Sequence, residues 1–214
     1  MSEAATGVLA QIKSARLLPV VVVDEVAQAV PLANALVAGG LPVAEVTFRT
    51  AAAVGVIRRM VDEVPGLLVG AGTVLSTDNV RAAKEAGASF LVSPGFNPAV
   101  VAAARDAGLP ILPGVNNPTG VEQAMSFGLD AVKFFPAEPS GGVPFLKALS
   151  GPYGGMRYVP TGGIGPKNLK DYLALPAVLA CGGSWMVDPK LVRAGRFDEV
   201  ERLTAEAVAL ARSA

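Results

Sequence analysis

The chain has 214 residues, 18 basic and 18 acidic, for a formal net charge of zero. That balance argues against a nucleic-acid partner, which would call for an excess of Lys and Arg. Its single cysteine excludes an internal disulfide and fits a reducing cytoplasm, and the absence of histidine removes the commonest general base and the commonest ligand of catalytic zinc.

The N-terminus lacks the basic start and long apolar stretch of a signal peptide. No apolar run reaches the ~20 residues of a membrane span, so no membrane partner is expected. The length suits one domain or two small ones, and with no linker, low-complexity tract or boundary in the sequence a single domain over residues 1–214 is expected. Residues 1–17 read as an N-terminal helical extension. Apolar, β-branched runs then recur: PVVVV (19–23), PVAEVTF (42–48), LLVGAG (67–72), SFLVS (89–93), PILPG (110–114), DAVKFF (130–135), RYVPT (157–161) and AVLACG (177–182). Ala-rich segments with helical spacing lie between them, among them Leu32–Val37, Val54–Val64, Asn79–Ala86, Pro98–Ala107 and Val121–Phe127. Several end at a glycine suited to a position just past a helix: Gly39, Gly87, Gly108 and Gly128. Ser76-Thr77-Asp78 and Asn117-Pro118-Thr119 look like helix starts, and PTGGIGP (160–166) is expected to open a helix at Pro166. A last helix is expected over about 197–212, with Val200, Leu203, Ala207 and Leu210 on one side.

Strands that alternate with helices, and that are apolar on both faces, predict a parallel sheet. Eight repeats in this length best match a (β/α)8 TIM barrel, with a doubly wound open sheet as the alternative. In a barrel the chemistry sits at the C-terminal strand ends. The polar residues that interrupt the apolar runs fall there: Asp24, Glu45, Arg49, Thr73, Ser93, Asn116, Lys133, Thr161 and Ser184.

Lys133 lies between Val132 and Phe134-Phe135. Side chains alternate along a strand, so an inward Lys133 takes Phe135 inward with it and sends Val132 and Phe134 toward the helices. Desolvation favours the neutral amine, which attacks carbonyls. The plain alternative is a lysine that reaches the strand end and pairs with a carboxylate. In AEVTFRT (44–50), Glu45, Thr47 and Arg49 share one strand face. Turned inward, they would bring a proton-transfer carboxylate, a hydroxyl and a carboxylate-binding guanidinium to the same cavity. A purely structural Glu–Arg–Lys network is the competing reading.

The paired glycines of PTGGIGP and CGGSWM (181–186) follow the seventh and eighth runs. Such loops expose backbone N–H groups, and in this fold those two commonly hold a phosphate. Gly162, Gly163, Gly183 and Ser184 are the expected donors. Thr73, in GAGTV, is the hydrogen-bonding side chain at the mouth of the third strand. Cys181 reads as a small buried hydrophobe.

Taken together, EVTFRT, VGAGTVL, SPGFNP, PGVNNP, VKFFPAE, PTGGI and GGSW resemble, in order and spacing, the 2-keto-3-deoxy-6-phosphogluconate (KDPG) and 4-hydroxy-2-oxoglutarate (KHG) aldolases. The resemblance runs from about Leu18 to the last helix. It implies a class I aldolase of carbohydrate metabolism, cytoplasmic, homotrimeric, free of metal and cofactor, and acting on a small 2-keto acid and a phosphorylated aldehyde. It implies Lys133 as the Schiff-base lysine and Glu45 as the proton-transfer carboxylate. Arg49 and Thr73 match contacts to the pyruvate moiety, Thr161 matches a substrate-contacting threonine, and Gly162, Gly163 and Ser184 match the phosphate end. One departure stands out. Some relatives carry a basic residue where this chain has Asp24 and Glu25, which puts the aldehyde end of the substrate in more doubt than the pyruvate end. The rival enzyme reading is a phosphate-binding barrel without covalent catalysis, such as an isomerase or a thiazole-phosphate-type synthase. A non-catalytic phosphosugar-binding or oligomer-forming protein is the reading from a different class.

Overall fold

The computed structural model describes residues 3–214, with side chains from Gly7 onward. Helix α1 (Glu3–Ala15) leads into β1 (Leu17–Val21), α2 (Ala29–Ala38), β2 (Val43–Thr47), α3 (Ala53–Glu63), β3 (Leu68–Gly72) and α4 (Thr77–Glu85). Then come β4 (Phe90–Val92), α5 (Pro98–Asp106), β5 (Ile111–Leu112), β6 (Gly114–Val115), α6 (Pro118–Ser126), β7 (Ala131–Phe134) and α7 (Gly142–Ser150). The chain finishes with β8 (Arg157–Pro160), α8 (Leu169–Leu173), β9 (Cys181–Gly183), α9 (Pro189–Arg193) and α10 (Phe197–Arg212).

Every strand pairing is parallel, so all C-terminal strand ends lie along one edge. The ladder is not one continuous eight-stranded ring. It has a six-stranded sheet, β5-β4-β3-β2-β1-β9, and a three-stranded sheet, β6-β7-β8. The fifth apolar run is divided at Pro113, which has no N–H to give to a ladder. Its carbonyl still accepts from the Lys133 N–H at 3.0 Å. At the other junction, isolated parallel bridges join Tyr158 to Val178 and Thr161 to Gly182.

The helix starts follow the capping chemistry. Ser76, Asn97, Asn117 and Asp188 side chains accept backbone N–H bonds of 2.8–3.1 Å at the starts of α4, α5, α6 and α9. Gly87, Gly108 and Gly128 take the positive φ of a helix terminus, whereas after α2 it is Gly40, one residue beyond Gly39, that does so. Gly39 serves closeness instead. A Cβ there would lie 2.6 Å from that of Thr204, so α10 packs directly on α2. For the same reason the buried stripe of α10 runs through Val200, Thr204, Ala207, Val208 and Ala211, with Leu203 and Leu210 at its margin. The helix expected at Pro166 begins three residues later, at Leu169, after a turn.

Large side chains close the core. Tyr158, Tyr172, Phe90 and Phe134 are fully buried, each worth roughly 1.5–3 kcal/mol or more in apolar transfer. Phe134 points outward and stacks on Phe145 of α7, with ring centroids 6.0 Å apart. That leaves the opposite face of β7 for Lys133.

Candidate active site

Lys133 is the third residue of β7, and β7 is the middle strand of the smaller sheet. Glu45 is the third residue of β2, inside the larger sheet. Their side chains meet. Lys133 Nζ donates to Glu45 Oε1 at 3.2 Å, with the residues 6% and 1% exposed. Contact between the interiors of two different sheets means that the sheets face one another across this pair. The Phe135 ring lies 5.2 Å from Nζ, on the side expected from strand alternation. Glu45 Oε2 is buried and accepts no hydrogen bond. A buried carboxylate oxygen without a donor is costly, and it is the kind of atom that a substrate hydroxyl or a water can satisfy.

Gly72, at the end of β3, makes the space for this carboxylate. A Cβ at Gly72 would stand 2.6 Å from Glu45 Cγ, and closer still to Oε1. Gly182 does the same for Thr161, whose Oγ1 and Cγ2 occupy the volume of the missing side chain. Thr161 is buried, and its hydroxyl makes only a long 3.4 Å bond to the Val159 carbonyl. Thr47 is buried on the Glu45 face, but its hydroxyl donates to the Val21 carbonyl at 2.9 Å and ties β2 to β1.

The other expected residues sit at the same edge in different states. Arg49 does not continue the strand. β2 ends at Thr47, and Arg49 stands exposed in the following turn, with no ion pair among the described residues. Its reach into the cavity therefore depends on a turn rather than on strand alternation. Thr73 is half-buried, directly after β3, in a left-handed conformation (φ 57°). That conformation is costly for a β-branched residue and clusters at functional sites. Gly162 and Gly163 both have positive φ, 103° and 81°. Their N–H groups and that of Ser184 bond to no backbone acceptor, and Ser184 is exposed. Successive free N–H groups of this kind form an anion-binding concavity. Gly183 is buried and makes a different contribution. The Trp185 ring lies where its side chain would be, so it is a packing position within β9.

Asp24, the acidic residue that stands where some relatives carry a basic one, pairs with Arg193 of α9, Nε to Oδ2 at 2.5 Å. No local pattern pointed to this partner. Cys181 is fully buried, and burial raises its thiol above the usual range. Among the described residues, no three His, Cys, Asp or Glu side chains gather as metal ligands would. None of the described helices is long and apolar enough to cross a membrane. A cleft of about 690 Å³ opens beside Phe135 and Pro136, between Pro94-Gly95 and Asn116-Asn117, at the same edge as Lys133. A more apolar cleft of about 400 Å³, under α1, lies at the N-terminal strand ends, away from all of these groups.

The sequence profile of the KDPG and KHG aldolases matches residues 8–203. The chain belongs to the KDPG and KHG aldolase family. It is 46% identical to the 2-dehydro-3-deoxy-phosphogluconate aldolase of Haemophilus influenzae, over 97% of this chain and 98% of that one. It is 47% identical to the KHG/KDPG aldolase of Escherichia coli K12, over 89% of this chain and 90% of that one. Among solved structures, the KDPG aldolase of Legionella pneumophila superposes with a TM-score of 0.90 at 36% identity, covering 93% of this chain and 97% of that one. That aldolase was captured with pyruvate as a covalent carbinolamine intermediate.

Proposed function

We infer that this chain is a class I aldolase that cleaves KDPG to pyruvate and glyceraldehyde 3-phosphate, and KHG to pyruvate and glyoxylate. The observation that carries the reading is the buried Lys133–Glu45 pair at 3.2 Å. It puts a nucleophilic amine beside a carboxylate in a chain with no histidine.

In the proposed route, Glu45 accepts a proton across that contact and leaves a neutral Lys133 amine. The amine attacks the C2 ketone of the substrate. The resulting carbinolamine corresponds to the adduct captured with pyruvate in the Legionella relative. Glu45 passes the proton it accepted to the carbinolamine hydroxyl, which leaves as water; this regenerates the carboxylate and gives a protonated imine, which draws electrons from the C3–C4 bond. Glu45, directly or through a water, takes the C4 hydroxyl proton. The C3–C4 bond breaks, the aldehyde leaves, and an enamine of pyruvate remains on Lys133. Glu45 returns a proton to C3, and water hydrolyses the imine to release pyruvate. No step in this route calls on a metal or an organic cofactor.

Arg49 and Thr73 hold the carboxylate end, Thr161 lines the pocket, and the free N–H groups of Gly162, Gly163 and Ser184 take the phosphate. The pairing of Asp24 with Arg193 supports this end of the assignment, because the aspartate is not an uncompensated charge facing a phosphate. The two sheets close through Pro113 and the β8–β9 bridges into a (β/α)8 barrel that acts as one domain, flanked by α1 and α10. The active form is a cytoplasmic homotrimer.

The test is reductive trapping. The protein is incubated with pyruvate and sodium borohydride, digested and mapped by mass spectrometry. One reduced adduct on Lys133 is the expected result. No adduct, or adducts scattered over surface lysines, returns the pair to a structural role and favours a phosphate-binding barrel without covalent chemistry.

A further inference from the structure

Glu138 ends the VKFFPAE run, and the proposed chemistry gives it no task. Its surroundings are nonetheless built. Beyond β7 the backbone keeps pairing with the loop after β8: the Ala137 N–H donates to the Thr161 carbonyl at 2.8 Å, and the Glu138 N–H donates to the Gly162 carbonyl at 3.0 Å. The Glu138 side chain then folds across Gly163. A Cβ on Gly163 would stand 2.6 Å from Glu138 Cγ. The carboxylate lies at the start of α7, where a Cβ on Gly142 would be 3.1 Å from Oε1. There it accepts a hydrogen bond from the hydroxyl of Tyr172, a fully buried residue of α8. A helix N-terminus is a favourable place for a carboxylate. On the far side, Asn168 donates from Nδ2 to the Gly163 carbonyl at 3.2 Å.

The two glycines whose N–H groups are free are thus held by their carbonyls, and Gly163 also by the Cβ and Cγ of Glu138 packed against it. Glycine has no conformational preference of its own that would keep φ at 103° and 81°. Something outside the loop has to hold that shape. Glu138 does so from the strand that carries Lys133, and Tyr172 fixes Glu138.

We propose that Glu138 and Tyr172 are positioning residues that hold the Gly162–Gly163 backbone open for a substrate phosphate, and so set the preference for a phosphorylated over an unphosphorylated 2-keto acid. The proposal deepens the aldolase reading and rests on it. The carboxylate acts through geometry. As a bare charge near a phosphate it would oppose binding, so geometry and charge predict opposite effects of neutralising it.

The experiment compares wild type with Tyr172→Phe, Glu138→Ala and Glu138→Gln. It measures kcat and KM for KDPG and for KHG, and the pyruvate concentration that half-saturates borohydride trapping. Tyr172→Phe and Glu138→Ala are expected to raise KM for KDPG roughly tenfold, the size of one lost hydrogen bond to a charged group. Glu138→Gln keeps an acceptor for the phenol and is expected to stay within about threefold of wild type. The KHG constants and pyruvate half-saturation are expected to stay level in all three, which general loosening of the fold would not allow. Three results would overturn the proposal: equal changes for both substrates, no change in KM for KDPG in Tyr172→Phe and Glu138→Ala, or a KM in Glu138→Gln more than about threefold below that of wild type. If wild type itself forms no pyruvate adduct, the aldolase reading fails and the proposal falls with it. An adduct with unresponsive variants refutes the proposal alone.

Discussion

Gly72→Ala tests whether the Lys133–Glu45 contact has the role given to it. The substitution leaves both reacting side chains chemically intact. Its Cβ would lie 2.6 Å from Glu45 Cγ and 2.9 Å from Cδ, whereas carbon atoms in ordinary contact are ~3.5–4 Å apart. The Glu45 side chain must therefore retreat by about 1 Å. The starting separation of Nζ and Oε1 is 3.2 Å, so a retreat of that size takes the pair beyond hydrogen-bonding range. Misplacement by about 1 Å can cost roughly a hundredfold in rate, equivalent to ~2.7 kcal/mol of barrier. Overpacking adds a stability cost of about 1–3 kcal/mol. Pyruvate release from KDPG, coupled to lactate dehydrogenase and followed by NADH absorbance, gives kcat, while circular dichroism checks that the variant is folded. A folded Gly72→Ala protein with kcat within about threefold of wild type would show that the position of Glu45 is not critical, and the proton-transfer role would be lost.

Two further outcomes follow from the same geometry. Glu45→Gln should still give the borohydride adduct on Lys133 but should cleave KDPG at least a hundredfold more slowly, the scale of a lost acid–base group; wild-type turnover would remove Glu45 from the mechanism. Burial raises the Cys181 thiol above its ordinary range, so the folded protein should resist a thiol-specific disulfide reagent at pH 8 and react fully once denatured; rapid labelling of the native protein would contradict the burial.

The central pair was legible in the sequence because it follows from a rule of period two. Lys133 with outward Phe134 on one run, and Glu45 on the other, fix which face each side chain takes. Arg49 was misread as a strand residue because strand length is set by the neighbouring ladder and not by alternation. β2 pairs with β3 residue for residue from Val43↔Leu68 to Thr47↔Gly72, and both stop there. The break at Pro113 was also written in the sequence, since a proline inside PILPG cannot donate, but only the three-dimensional ladder shows that two sheets result. The Asp24–Arg193 and Glu138–Tyr172 contacts had no local signature. Their partners lie 169 and 34 residues apart, on helices of five residues each, α9 and α8, which carry little periodicity.

The reacting pair has a consequence for how the protein is made. Glu45 and Lys133 are separated by 88 residues and contributed by different sheets. Helices and adjacent β–α units can assemble from nearby chain, whereas this contact requires the first third of the polypeptide to meet a strand well past its midpoint. Such non-local closures bear the largest loop entropy and come slowly. On dilution from denaturant, helical signal is gained with the local units, while adduct-forming capacity is a clock for the final closure of one sheet upon the other.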